Sequence, residues 1–442
     1  MVDPQQRPFP DAATAAARIP LPLNRQRAHA VLEKHGLDGI VALRPHNVYY
    51  LSNSWPVAVD FGSEFPAMAT FAADPSQPGF FICTPGAALE VMNGDREVLP
   101  VITYTGAENW RDYVGAGPER MRVEPQAFGA ATPFGFAVRS GIELTAREAA
   151  WDRAQVRHNP TSAPSPEWAL VRALKESGLI NGRIAVDDMR VARLLAGIGV
   201  DTVTVLPGDN IFRDIRLIKQ PHEITLMRQA QKASRAAAMA AARGLVPGMT
   251  YAEARALFVG EAARHGAELS FLLLGMSQAM LPDGVVRSGR SYMIDCGASF
   301  SHYMGDFART IAIGEPSAEL ARRMAAQQAA RAAALEIIRP GVRFSAVEAL
   351  ARAVMVKAGM PSHVIAACSL HSVGLQHDDQ PHRTDVFYRV PVDLTLEAGM
   401  CVTLDLPFLE IGWGAGHNED LLLLTANGHE LLNDPGDPLV IV

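Results

Sequence analysis

The stretch Ile294-Asp295-Cys296-Gly297-Ala298-Ser299-Phe300-Ser301-His302-Tyr303-Met304-Gly305-Asp306-Phe307-Ala308-Arg309-Thr310 decides how the chain is read. Apolar runs from Ser291 to Cys296 and from Phe307 to Ile313 flank a middle that contains glycine and serine, and each side brings one aspartate where an apolar residue is expected. This pattern predicts a β-hairpin. A turn centred near Phe300 sets Asp295 opposite Asp306 with Cβ atoms ~5 Å apart, where two ionised carboxylates repel unless a cation or proton lies between them. The hairpin therefore points to a metal site.

The 442 residues are 48% hydrophobic and 20% charged, an ordinary globular composition too long for one core at ~100–200 residues per domain. Two domains are expected. A formal net charge of -7 gives no general attraction to phosphate backbones, which argues against a nucleic-acid partner. No apolar run reaches ~18 residues, and Met1 to Arg18 lacks a basic-then-apolar leader pattern, so a cytoplasmic protein without a membrane partner is expected. Cys83, Cys296, Cys368 and Cys401 lack CxxC spacing and read as reduced, mostly buried thiols.

Residues 1–22, with several prolines and no sustained period, read as an arm. Residues 23–214 read as one α/β domain with a mixed sheet: a helix from about Asn24 to His35, short apolar runs separated by Gly/Pro turns, a long loop from Pro118 to Glu143, then helical and strand patterns to about residue 213. Pro221 followed by Glu223 ahead of a long amphipathic run marks a helix start, and residues 215–442 form the second domain. There one order occurs twice. Helices at about 222–243 and 251–265 precede the hairpin of Asp295 and Asp306; helices at about 317–338 and 344–359 precede a second apolar pair, Gly399 to Leu404 and Asp420 to Thr425, bordered by Asp405 and Glu419. Such a duplication curves a pseudo-symmetric sheet around one cleft, with acids from both halves pointing inward.

Four carboxylates in one concave, partly desolvated place require cation compensation, which two divalent ions supply. With His371 as nitrogen donor, the set Asp295, Asp306, His371, Asp405 and Glu419 suits Mn²⁺, Fe²⁺, Co²⁺ or Zn²⁺.

Arg216-Leu217-Ile218-Lys219 with Glu223-Ile224, Asp295-x-Gly297 to Asp306-x-x-Arg309-Thr310, His371-x-x-Gly374, Leu396-Glu397-Ala398-Gly399-Met400 and Glu419-Asp420 resemble the creatinase/prolidase/methionine-aminopeptidase superfamily, peptidase family M24. The resemblance covers about residues 215–430, and Asn47-Val48-Tyr49-Tyr50-Leu51 more loosely resembles the creatinase-type amino-terminal domain. It implies an α/β (α+β) architecture with a carboxyl-terminal pita-bread catalytic domain and a homodimer. It also implies one or two divalent ions, Asp306 and Glu419 bridging them, Asp295 on one, and His371 and Asp405 on the other. Asp405 departs from the family, which carries glutamate there.

Other departures concern the reaction. The second peptidase histidine is replaced by Asp378, with His377 one place early. No histidine stands between Gly266 and Gly297, where Gln278 or Asp283 takes the place. His417 stands for the usual arginine before the bridging glutamate. His377, Asp378 and His417 are the catalytic candidates, and Trp55, Trp413 and Arg309 the substrate-binding ones. Asp378 and Asp379 read as a surface acidic pair or a cation-binding one. The expected function is hydrolysis of a dipeptide-sized amide, Xaa-Pro dipeptidase-like, by a metal-activated water. The alternatives are a small-metabolite enzyme of the same superfamily, whether creatinase-like, ectoine-hydrolase-like or a dimethylsulfoniopropionate lyase-like C–S lyase, and a non-catalytic binding module.

Overall fold

Local signals set the helix ends. Asn24 accepts the Arg27 amide and Gly36 closes the far end at φ 59°, so the first helix, α1, runs Arg25–His35. A computed structural model describes residues 18–63, 67–92, 95–104, 119, 122, 136–278, 284–386 and 390–442. The chain divides into two compact units between Ile215 and Arg216. Of the expected arm, residues 1–17 lie outside the described residues, while Leu21 and Leu23 are buried. Most of the loop expected from Pro118 to Glu143, and Asp283, also lie outside them.

The first unit is built on a six-stranded sheet of β1 (Gly39–Ala42), β2 (Ala67–Ala72), β3 (Phe80–Cys83), β4 (Val101–Thr103), β5 (Arg183–Val186) and β6 (Thr204–Pro207), in the order β4-β3-β2-β1-β5-β6. β1 runs antiparallel to β2 and parallel to β5, which makes the sheet mixed. Among its helices are α2 (Pro45–Ser52), α3 (Pro85–Val91), α4 (Ala146–His158), α5 (Pro166–Glu176) and α6 (Arg190–Gly197); α7 (Asp209–Arg216) leads to the boundary. α5 buries Trp168, Leu170, Val171 and Leu174 in the core beneath the sheet. Burial on this scale is worth ~1.5–3 kcal/mol per large side chain.

In the second unit, α8 (Pro221–Gly244) and α9 (Tyr251–Arg264) are followed by β7 (Glu268–Leu274), β8 (Ser277–Gln278), β9 (Ser291–Phe300), β10 (Tyr303–Met304) and β11 (Phe307–Ala312). α10 (Ala318–Ile337) and α11 (Phe344–Lys357) are followed by β12 (Ser369–Ser372), β13 (Cys401–Asp405), β14 (Phe408–Glu410), β15 (Gly414–Gly416), β16 (Leu421–Leu424), β17 (His429–Leu431) and β18 (Leu439–Ile441). One sheet runs β14-β15-β9-β11-β18 with β7 also on β9, and the other runs β12-β13-β16-β17. A bridge between Ala308 and Glu419 joins strand residues of the first half to the acid of the second. Alanines of α8, Ala230, Ala233, Ala237 and Ala241, are fully buried, and their small side chains let the helix lie close to β9.

The hairpin forms, but its register is shifted. Asp295 pairs with Ala308, and Phe300 with Tyr303, so the turn is Ser301–His302. Both turn residues adopt positive φ, 47° and 71°, in the left-handed region that closes a tight turn, and this moves the centre one residue beyond Phe300. Asp306 consequently lies diagonal to Asp295 instead of facing it.

Among the described residues no helix is long and apolar enough to cross a membrane.

Candidate metal centre

Each acid is delivered by backbone that a buried side chain pins. The Gln231 side chain of α8 donates to the Asp306 carbonyl and accepts the Asp306 amide, both at 2.7 Å, which fixes the residue where β11 begins. Gly305 precedes it because a Cβ there would meet the Ala230 backbone at 2.7 Å. Glu419 is held from the other side: the Arg309 guanidinium donates to its carbonyl at 2.8 Å and to Asp420 at 2.6 Å, and Arg331 holds the second Asp420 oxygen at 2.7 Å. His417 exchanges two backbone hydrogen bonds with the Thr310 hydroxyl. His371 and Asp405 come from the antiparallel pair β12 and β13.

The five sequence-selected donors come together. His371 Nε2 lies 3.2 Å from Asp405, 3.7 Å from Asp306 and 4.0 Å from Glu419. His417 Nδ1 is 3.6 Å from Asp295, and its Nε2 is 3.5 Å from Asp405 and 3.9 Å from Glu419. His377 Nε2 is 3.2 Å from Asp306. Three overlapping donor groups result, with ligand atoms in each within 4.8 Å: Asp306, His371 and His377; Asp295, His417 and Glu419; His371, Asp405 and Glu419. Despite its short side chain, Asp405 reaches the cluster.

Burial makes this arrangement electrostatically costly as a bare protein. Desolvation raises Asp306 above the ordinary carboxylate range, and desolvation with Asp306 and Asp405 as neighbours raises Glu419 well above it. Burial alone would depress His371 and His417, yet the acids beside them outweigh it and lift each to about 9. Asp405 is also desolvated, but the adjacent His371 holds it well below its usual value. Neither Asp306 oxygen and neither ring nitrogen of His371 or His417 has a hydrogen-bond partner. Buried polar atoms are almost always satisfied, so this concentration of orphaned oxygens and nitrogens fits cation ligands, and a metal pair fits the donor set.

A cavity of about 460 Å³ opens beside the cluster, lined by Phe344, Glu348, His371, His377, Asp378 and Asp405 among others. It is large enough for a small ligand. His377 is 47% exposed, with its ring edge-on to Phe271 and tilted against His371. Asp378 is bound by His382 at 2.7 Å, a partner no sequence spacing announced.

Of the three substrate-binding candidates, Arg309 and Trp413 do other work within the second unit. Arg309 is 1% exposed and bound to Asp420, Glu419 and Pro435, with its guanidinium 4.1 Å from the Phe307 ring centroid; burial and pairing make it a backbone clamp. Trp413 lies under the Arg323 guanidinium at 3.9 Å and against Phe408, lining a cavity with Arg290, Ser291 and Glu319 that no cluster residue borders. Trp55 belongs to the first unit, edge-on to Tyr49 and donating to Asp60. Asp379 is no surface acid: it is 1% exposed, paired with Arg216 at 2.6 Å and Lys219 at 3.6 Å. That pair closes on Gly374, where a Cβ would meet the Asp379 carboxylate at 2.2 Å, and so holds the loop presenting His377.

Comparison with known proteins agrees with this geometry. Residues 225–426 match the sequence profile described as metallopeptidase family M24. Over 253 residues the chain is 29% identical to a "Probable dipeptidase PepE" of Mycobacterium tuberculosis, covering 55% of this chain and 66% of that protein. Over 232 residues it is 27% identical to an "Xaa-Pro dipeptidase" of Pyrococcus furiosus, covering 51% and 65%. The aligned stretch thus spans just under two thirds of these relatives' length. A dipeptidase from Pyrococcus horikoshii superposes with TM-score 0.67 at 19% identity over 95% of this chain and 99% of that one. The dipeptidase PepE of Mycobacterium ulcerans superposes with TM-score 0.64 at 20% identity over 95% and 96%. The fold is therefore the two-domain pita-bread architecture of these enzymes.

Proposed function

We propose, on the premise that this chain belongs to metallopeptidase family M24, that it is a metal-dependent hydrolase of dipeptide-sized amides, with Xaa-Pro dipeptides as the first substrates to expect. The observation that carries this reading is the convergence of Asp295, Asp306, His371, Asp405 and Glu419 beside a small-ligand cavity, with both Asp306 oxygens and both His371 ring nitrogens lacking hydrogen-bond partners. These five residues would hold one or two divalent ions, Mn²⁺, Fe²⁺, Co²⁺ or Zn²⁺. Ions bound there would supply Lewis acidity toward water and the scissile carbonyl.

The protein's own groups do the remainder. His377, half-exposed and beside Asp306, can keep a proton on Nε2 at the cavity wall and pass it to a departing amine, because Asp306 raises its pKa against the effect of burial. Asp378, held by His382, lines the same wall and can orient the substrate or receive a proton. The cavity of about 460 Å³ has room for a dipeptide-sized ligand. The four free thiols, three of them buried, suit a cytoplasmic setting. By likeness to creatinase-type relatives the working form is a homodimer, which light scattering on the purified protein tests.

The decisive assay uses metal-stripped and reconstituted protein against a panel of Xaa-Pro and other dipeptides, creatine and sulfonium propionates, with products identified by mass spectrometry. Metal-dependent release of free amino acids is expected. Turnover of none of the dipeptides by metal-loaded protein would overturn the peptidase reading.

A further inference from the structure

We propose that His417 is itself a nitrogen ligand, completing with Asp295 and Glu419 one ion position, so that each of the two positions carries an imidazole. This rests on reading the cluster as a metal centre and goes beyond the five donors already assigned.

Two histidines of the site are placed alike. His371 and His417 are both buried, at 9% and 2% exposure, and both leave Nδ1 and Nε2 without hydrogen-bond partners. Each also faces three separate carboxylates: His371 at 3.2, 3.7 and 4.0 Å, and His417 at 3.5, 3.6 and 3.9 Å. A histidine serving only as a charged hydrogen-bond donor would aim one N–H at one oxygen within ~3.2 Å. His417 does not. His417 Nδ1 stands 3.6 Å from Asp295, and one donor atom each of Asp295, His417 and Glu419 lie within 4.8 Å of one another, close enough to share one ion.

The ring cannot easily turn to another partner. Its backbone amide and carbonyl are both tied to the Thr310 hydroxyl, at 3.0 and 3.1 Å, and the Ala308–Glu419 bridge fixes the strand two residues on. With one ring nitrogen on the ion, the other faces a carboxylate on its opposite side and can donate to it, an outer contact that sets the tautomer of a ligating imidazole. A nitrogen in both positions tilts the site from Mn²⁺ toward Zn²⁺, Co²⁺ and Fe²⁺, because imidazole favours these borderline ions more than all-oxygen donors do.

The test compares wild-type protein with His417→Gln, His417→Arg and His371→Gln. Each is stripped, checked for folding by circular dichroism, and titrated with Zn²⁺ and Mn²⁺ by calorimetry with elemental analysis of stoichiometry. Arginine keeps a positive charge but cannot ligate. Both His417 variants should lose one Zn²⁺ or bind it more than ~100-fold more weakly, beyond the 10–100-fold that loss of an outer hydrogen bond costs, and Mn²⁺ should suffer less. A loss of ~100-fold or less, or full loading of His417→Arg, overturns the proposal.

Should the His417 variants not fold, X-ray absorption of the Zn²⁺-loaded His377→Gln protein decides, because His377 is half-exposed. About one imidazole per ion is expected from His371 and His417 together; about half of one, from His371 alone, contradicts it. If wild-type protein binds no ion, or His371→Gln leaves loading untouched, the metal centre itself fails. If His371→Gln loses an ion and the His417 variants do not, only this assignment fails.

Discussion

Asp187 in the first unit and Asp306 in the second are both buried aspartates, 4% and 0% exposed, yet their surroundings are opposite. Asp187 accepts the Leu43 amide at 2.8 Å, the Arg44 amide at 3.0 Å and the Asn47 side-chain amide at 2.8 Å, tying α2 to the end of β5. Asp306 accepts nothing at either oxygen, although its backbone is held on both sides by Gln231. The protein therefore fixes where Asp306 sits and sets only the His377 and His371 imidazoles, at 3.2 and 3.7 Å, against its charge. A buried carboxylate that is fully hydrogen-bonded maintains structure, and one that is rigidly placed but unsatisfied awaits a ligand.

The largest effect expected from this contrast is at Asp306. Asp306→Asn should lower turnover at least ~10³-fold, since polarisation by bound ions is worth several kcal/mol, and should abolish stabilisation by added metal. In chelator the same variant should melt no lower than wild type, because a repelling charge has been removed. Thermal melts with and without metal check both halves. A variant that melts much lower in chelator would place Asp306 with Asp187 as a structural acid.

Asp420 sharpens the contrast one residue from the cluster. It is buried like Asp306 but answered by Arg309 and Arg331. Asp420→Ala should cost about 3–5 kcal/mol, because two buried guanidinium groups lose their counter-charge. Urea unfolding of the metal-free protein measures it. A loss near zero would mean that burial and pairing do not separate the two kinds of acid.

The smallest effect is the pH dependence of Asp187. Burial raises its pKa from 3.8 to about 6, against the pull of its three donors. Folding therefore takes up a proton between those values. The resulting stability is fully present below about pH 4 and is lost as pH rises through about 6, a change on the order of 3 kcal/mol. Urea midpoints of metal-free wild type and Asp187→Asn across pH 4–7 isolate this slope, and parallel curves would remove the account of Asp187.

The same contrast explains what the sequence could and could not reveal. Hydrophobic periodicity and caps exposed the helices, and the repeated order of helices and apolar pairs exposed the two-fold plan of the second unit. Register escaped, because Ser301 and His302 adopt positive φ without a glycine to announce the turn. The four acids could be singled out because charge recurs at matching places in both halves, and folding brings them together with His371. Arg309 and Trp413 were misjudged because adjacency to a motif says nothing about which neighbour a side chain meets; Arg309 closes on Asp420, and Trp413 on Arg323. Arg216 and Lys219 were visible as part of a phrase, but their partner Asp379 lies some 160 residues away and only folding joins them.

The most direct test of the central claim is anomalous diffraction from crystals grown with Zn²⁺ or Mn²⁺, recorded at the metal's absorption edge. The account predicts anomalous peaks within ~2–2.5 Å of carboxylate oxygens of Asp306 and Glu419, with Asp295, Asp405 and His371 completing the coordination. A map without metal density there, with these side chains hydrogen-bonded to one another or to water, would contradict it.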